Sequence, residues 1–147
     1  MTTRPLSPQI PGPDPAEDPE AIAADHADPT LEADVFARNC LSRPVLGNVA
    51  SRWGVLALVA LRAGPYRFSA LRRRVDGISE RMLSQTLQAL ERDGMINREV
   101  QTSIPPHVEY TLTDLGAQVA YHLADLIDVL ESNIGKIQAA QANYHRD

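Results

Sequence analysis

Arg81, Ser84, Gln85 and Gln88 recur at intervals of three and four residues, a spacing that sets them on one face of an α-helix. Arginine, serine and glutamine are the side-chain types that hydrogen-bond to base edges or phosphates in a DNA major groove. A second chemistry is carried by Cys40, the one cysteine in the chain. Arg38 and Arg43 flank it, and nearby positive charge stabilises a thiolate. The bland alternative for Cys40 is a small apolar residue packed in an interface. Its solitude excludes an internal disulfide framework and suits a reducing compartment.

Other chemistries find no footing. His26, His107, His122 and His145 show no metal-ligand spacing with one another or with Cys40, so no metal and no cofactor is expected. No nucleophile–base pairing, phosphate-cradling glycine loop or paired carboxylate site is evident, and the chain does not read as an enzyme.

The polar stripe needs a helix to carry it, and Gly77 to Gly94 supplies one. Ser79 is placed to accept the first free amides, and Gly94 suits a left-handed C-terminal residue. Leu83, Leu87 and Leu90 form the opposite, inward face. Ahead of it, Pro44 suits the first turn of a helix running towards Val49, with Ser42 or Arg43 as its cap. A short helical turn is expected over 31–38. Residues 51–63 read as a helix that is apolar nearly all round and is expected at the centre of the core, halted by Gly64-Pro65. Ser69 is placed to cap a helix through Val75, with Arg72, Arg73 and Arg74 outward. Two short helices around a glycine-containing turn form a helix-turn-helix pattern.

Behind it, Ile96–Gln101 and Val108–Leu112 alternate apolar and polar residues, which is strand periodicity. The segment between them, Thr102-Ser103-Ile104-Pro105-Pro106-His107, is a projecting loop, so the pair reads as a hairpin with a wing. From Thr113 or Asp114 a last helix over 113–143 carries Leu115, Val119, Leu123, Leu126, Leu130, Ile134 and Ile137 in one stripe. The stripe spans about 22 residues, or roughly 33 Å. That is longer than a small domain covers, so a second copy is the expected cover.

The charge is segregated. Residues 1–37 hold one basic and eight acidic residues, and seven of the eleven prolines fall in residues 1–30. Such composition reads as an acidic, proline-rich disordered tail over 1–30. Residues 38–112 hold eleven basic and six acidic residues, so the net charge of −5 conceals a basic middle. With no signal-peptide core and no apolar run long enough for a membrane span, a soluble cytoplasmic protein is expected, with no membrane partner.

These residues resemble the HxlR-type winged-helix transcription regulators of bacteria. The matching pieces are Arg52-Trp53, Gly64-Pro65, Arg67-Phe68, Leu71, Gly77-Ile78-Ser79 and Arg81-Met82-Leu83. Further on they are Gln85, Leu87, Leu90-Glu91, Asp93-Gly94, Pro105-Pro106, Val108-Glu109-Tyr110, Leu112-Thr113 and Leu115-Gly116. The resemblance covers roughly residues 38–130. These segments read as a mainly α winged helix-turn-helix domain over 31–147, and the resemblance implies a homodimer joined through the last helix packed with the N-terminal helix, with double-stranded DNA carrying a palindromic operator as partner. Cys40 stands where the family usually has a cysteine that in some members senses oxidants or electrophiles. Where the family usually has an arginine after the two prolines, this chain has His107.

DNA contact is expected from Arg67, Arg72, Arg73, Arg74, Ser79, Arg81, Ser84, Gln85 and Gln88, with Thr102, Ser103 and His107 from the wing. Three consecutive arginines cannot share one helical face, so at least one points elsewhere. The dimer contact falls to Leu123, Leu126, Leu130, Ile134 and Ile137. Trp53 is expected in the core. Trp53, Phe68 and Tyr121 are candidates to line a small-molecule pocket between the last helix and the DNA-binding core, leaving room for a small-molecule or oxidant effector. The expected function is a transcriptional regulator, a repressor. The competing reading is a winged-helix module that binds protein, which predicts an apolar outer face on the Gly77–Gly94 helix.

Overall fold

A computed structural model describes residues 34–146, and the expected acidic tail lies outside them. The chain divides into a segment ending at Arg43 and a compact body from Pro44 onwards. In the first, 34–41 form successive turns rather than a helix, closed by Ala37 N–H to Asp34 O (2.9 Å) and Cys40 N–H to Ala37 O (3.1 Å). The Asp34 carboxylate also accepts from the Phe36 amide, a local bond that competes with helix formation.

Helix α1 (Ser42–Val49) is followed by α2 (Arg52–Ala60) and a 3₁₀ turn (Leu61–Ala63). Strand β1 (Tyr66–Arg67), α3 (Phe68–Arg74) and α4 (Glu80–Arg92) come next. Strands β2 (Ile96–Gln101) and β3 (His107–Leu112) precede α5 (Asp114–Ser132) and α6 (Ile134–Arg146). The sheet is antiparallel in the order β1-β3-β2, so the expected hairpin gains β1 as a third strand on the far side of β3.

Side-chain caps set three of the helix starts. The Ser51 hydroxyl accepts from Gly54 N–H (3.0 Å), Ser79 from Met82 N–H (3.0 Å) and Thr113 from Gly116 N–H (2.9 Å), each a contribution of about 1 kcal/mol. Ser69 does not act as a cap. Helix α3 starts two residues earlier than a Ser69 cap would set it, at Phe68, with Arg67 in the extended N-cap position and no side-chain cap. Strand β1 pairs Tyr66 and Arg67 with β3, which fixes where the chain leaves extended geometry.

Leu83, Leu87 and Leu90 of α4 are buried against Leu58, Leu61, Leu71, Val75, Ile78, Met95 and Ile96. Helix α2 is buried along one side only, through Gly54, Ala57 and Leu58; Leu56 is exposed, so this helix is not enclosed all round. Helix α5 crosses α2 and seats Ala120 in the core. A Cβ on Gly116 would collide with the Met95 carbonyl, so α5 approaches the chain after α4 as closely as it does because residue 116 has no side chain.

The long last helix is divided. Asn133 leaves helical geometry (φ −123°, ψ 23°), its backbone N–H turns to Leu130 O, and its side-chain amide donates to Val129 O at 2.7 Å. An asparagine competing for the backbone in this way explains the break. No single helix among the described residues is long and apolar enough to cross a membrane.

Candidate nucleic-acid interface

Helix α4 is held between two glycines in the left-handed region, Gly77 (φ +92°) and Gly94 (φ +79°). With its leucines facing the core, Arg81, Gln85 and Gln88 are exposed and Ser84 is half-buried. The outer face is thus polar and basic, unlike the apolar face expected of a protein-binding module. Ser79 is exposed but its hydroxyl is engaged as the helix cap, which leaves its other lone pair and its proton for a ligand.

Arg92 was not among the expected DNA contacts. It lies eleven positions after Arg81, close to three turns at about 3.6 residues each, and so continues the same stripe. Its side chain is 69% exposed and its Nε lies 3.8 Å from Asp93 Oδ1. The other Asp93 oxygen accepts from Asn48 Nδ2 at 2.8 Å. The intervals 81, 85, 88 and 92 were a usable signal.

The three arginines of α3 separate. Arg72 donates from Nε to the Ile78 carbonyl (3.4 Å), bracing the turn before α4. Arg72 and Arg73 border a groove that includes Phe68, Asp76, Gly77, Ser79 and Glu80, at the start of α4. Arg74 borders a different cleft, with Asp76, Asp128 and Glu131. It is the member of the run that does not join the groove, as the helical geometry required. Arg67 is exposed on β1, across from Glu109 of β3.

In the wing, Thr102 is exposed, as is Ile104 at 98%. An aliphatic side chain so fully in solvent at a loop tip is the kind inserted between base steps by some minor-groove proteins. His107 is not at the tip. It opens β3, half-buried, with Nε2 3.0 Å from Glu109 Oε2 and Nδ1 3.1 Å from Ser103 Oγ. Ser103 and His107 are therefore partners of each other.

The cleft bordered by Arg74 holds about 590 Å³ between α2 and α5, with Leu56, Val59, Ala60 and Ile127 among its apolar walls. A cavity is present between the last helix and the core, but its walls differ from expectation. Trp53 and Phe68 pack against the core, and Tyr121 is exposed beneath the Arg62 guanidinium, 5.8 Å from its ring centroid.

Of the residues expected at a subunit contact, Leu123 packs against this chain's own core. Leu126, Leu130 and Ile134 are each about half exposed, and Val129 and Tyr121 add to the uncovered apolar surface. Ile137 is half-buried.

In the N-terminal segment, Cys40 is half-buried and its Sγ lies 3.0 Å from Ser42 Oγ. The Ser42 hydroxyl holds the thiol below the ordinary cysteine value, backbone amides of Ser42 and Arg43 add to this, and partial burial and the Asp34 charge oppose it. Arg43 acts on the thiol through its backbone amide, not through the guanidinium charge expected of it, and its Nη1 donates to Phe36 O at 3.4 Å.

Residues 48–138 match the family model described as HxlR-like helix-turn-helix. The chain is 54% identical over 110 residues to the HTH-type transcriptional regulator YtfH of Escherichia coli K12, covering 75% of this chain and 87% of that protein. The solved structure of a YtfH transcriptional regulator from Salmonella typhimurium superposes with a TM-score of 0.71 at 54% identity, over 76% of this chain and 99% of that one. The redox regulator HypR in its oxidised form is similar with a TM-score of 0.59 at 33% identity, over 64% of this chain and 97% of that one.

Proposed function

The chain belongs to the HxlR-like helix-turn-helix family, and from that premise we propose that it is a cytoplasmic, homodimeric repressor that reads a palindromic operator with α4. The observation that carries this reading is the exposed stripe Arg81, Gln85, Gln88 and Arg92 on the face of α4 opposite its buried leucines. Arg81 and Gln85 contact base edges. Arg72 and Arg73 meet phosphate beside the helix start, where they sit with Ser79 at one groove. Two copies pair through the half-exposed apolar residues of α5 and α6, and a two-fold pair of α4 helices matches two half-sites. Occupancy of the operator blocks transcription.

A gel shift on the DNA next to its own gene tests the reading. Arg81→Ala and Gln85→Ala each cost about 1–3 kcal/mol of discrimination against the wrong base. Arg73→Ala weakens all sequences alike and lowers the salt slope by about one. A chain that binds no duplex DNA at low salt overturns the reading.

Cys40 gives this regulator its input. A thiol with its ionised form favoured by Ser42 is the more reactive one, and HypR, a similar structure, is described as a redox regulator. With one cysteine per chain, oxidation ends in a disulfide to the partner copy or to a small thiol. Diamide treatment of the dimer, with Cys40→Ser as control, changes operator affinity only in the chain that keeps the cysteine.

A further inference from the structure

The wing holds an arrangement that can be completed only by a proton. Ser103 Oγ donates to the Pro105 carbonyl at 3.2 Å and also lies 3.1 Å from His107 Nδ1. His107 Nε2 lies 3.0 Å from Glu109 Oε2. A serine hydroxyl has one proton to give, and an ionised carboxylate only accepts. Nε2 must therefore carry a hydrogen to meet Glu109. If Ser103 gives its proton to Pro105, Nδ1 must carry a hydrogen as well, and the ring is an imidazolium. In the neutral ring the Ser103 proton is drawn to Nδ1, and the Pro105 carbonyl loses its donor. The three contacts coexist in the charged form alone.

The same proton balances the charge of this face of the sheet. Residues directly opposite on paired strands share a face. Glu109 lies between Glu99 of β2 and Arg67 of β1, and His107 lies across from Gln101. Arg98 sits opposite Tyr110, on the other face. The loop 102–106 contains no charged residue. With a neutral imidazole the face carries two carboxylates against one guanidinium, an unfavourable surface for phosphate. With an imidazolium the charges are equal.

We propose that the wing engages DNA with His107 protonated, and that Glu109 is the positioning residue which, together with Ser103, orients the imidazolium and closes the wing tip through Pro105. The proposal rests on the reading of α4 and the wing as the DNA-binding face. DNA binding by this chain then takes up a proton.

The test is the affinity of the full chain for duplex DNA from beside its own gene, at pH 6, 7 and 8 and fixed ionic strength. The unaltered chain binds about five- to tenfold tighter at pH 6 than at pH 8, the scale expected for one added cation at a phosphate surface. His107→Gln and Glu109→Gln flatten this dependence, while His107→Arg binds independently of pH and no more weakly than the unaltered chain does at pH 6. A merely structural Glu109 would leave the pH profile of its variant parallel to that of the unaltered chain. Nitrogen chemical shifts of the His107 ring in the complex at pH 6 report two protonated nitrogens, and a single one overturns the proposal. So does a pH dependence that survives in His107→Gln. Binding that is tight at every pH overturns the protonated wing and leaves α4 as the reader. Failure to bind duplex DNA at low salt overturns both.

Discussion

Asn48 Nδ2 donates a 2.8 Å hydrogen bond to Asp93 Oδ2, joining the end of α1 to the residue that closes α4. The bond spans 45 positions of sequence and is partly shielded, with the Asp93 side chain 13% exposed. It fixes the C-terminal end of the helix whose outer face carries the polar stripe, while Ser79 and Gly77 fix the other end.

Breaking that bond is expected to act on both stability and binding. Asn48→Ala leaves a shielded carboxylate short of a donor and costs about 1.5–3 kcal/mol of unfolding free energy. Urea unfolding measures it, and a double-mutant cycle with Asp93→Asn isolates the coupling. DNA affinity falls with Asn48→Ala under conditions where the chain is fully folded, because α4 is free to tilt. Unaltered affinity would mean that the core leucines alone hold the helix in place.

The contact of α5 with the segment after α4 depends on Gly116. Gly116→Ala places a methyl group against the Met95 carbonyl, and backbone cannot yield as a side-chain tip does. The expected loss is about 1–3 kcal/mol, as for overpacked cores. Gly135→Ala is the matched control, since a Cβ there meets nothing within 4 Å. The control retains the parent stability or exceeds it by about 0.5–1 kcal/mol, the difference in helix propensity.

Cys40 reactivity follows from Ser42. The hydroxyl lies 3.0 Å from the thiol sulfur and favours the thiolate. Removing it in Ser42→Ala raises the thiol pKa, so the pH profile of alkylation by iodoacetamide moves to higher pH and the rate at neutral pH falls. An unmoved profile would place the control of this thiol in the neighbouring backbone amides instead.

The uncovered residues of α5 and α6 make a prediction about assembly. Leu126, Leu130 and Ile134 are 51%, 48% and 46% exposed, a substantial apolar loss to water for a single chain. Leu130→Glu shifts the sedimentation coefficient from dimer to monomer and lowers operator affinity, because two half-sites are no longer engaged together. Leu123→Glu behaves differently: Leu123 is partly buried against its own core, so that change also lowers the unfolding free energy, which Leu130→Glu does not.

Short-range order was readable in the amino-acid sequence. The leucines at 83, 87 and 90, the caps Ser79 and Thr113, and the alternation of β2 and β3 all depend on residues a few positions apart, and periodicity records such neighbours directly. The stripe on α4 was likewise determined there, including Arg92, once the inward leucines are known. Tertiary packing decided what periodicity does not encode. Pairing of β1 with β3 moved the start of α3 ahead of Ser69. The packing of α5 took Leu123 out of the exposed stripe, and the bond from Asn48 to Asp93, the seat of Gly116 on Met95, and the separation of Arg74 from Arg72 and Arg73 all arise between elements. In the wing, the residue type His107 was legible, but the orientation of its ring was not. A strand brings positions two apart to one face, and only the folded loop brings Ser103 back to meet the histidine that Glu109 holds.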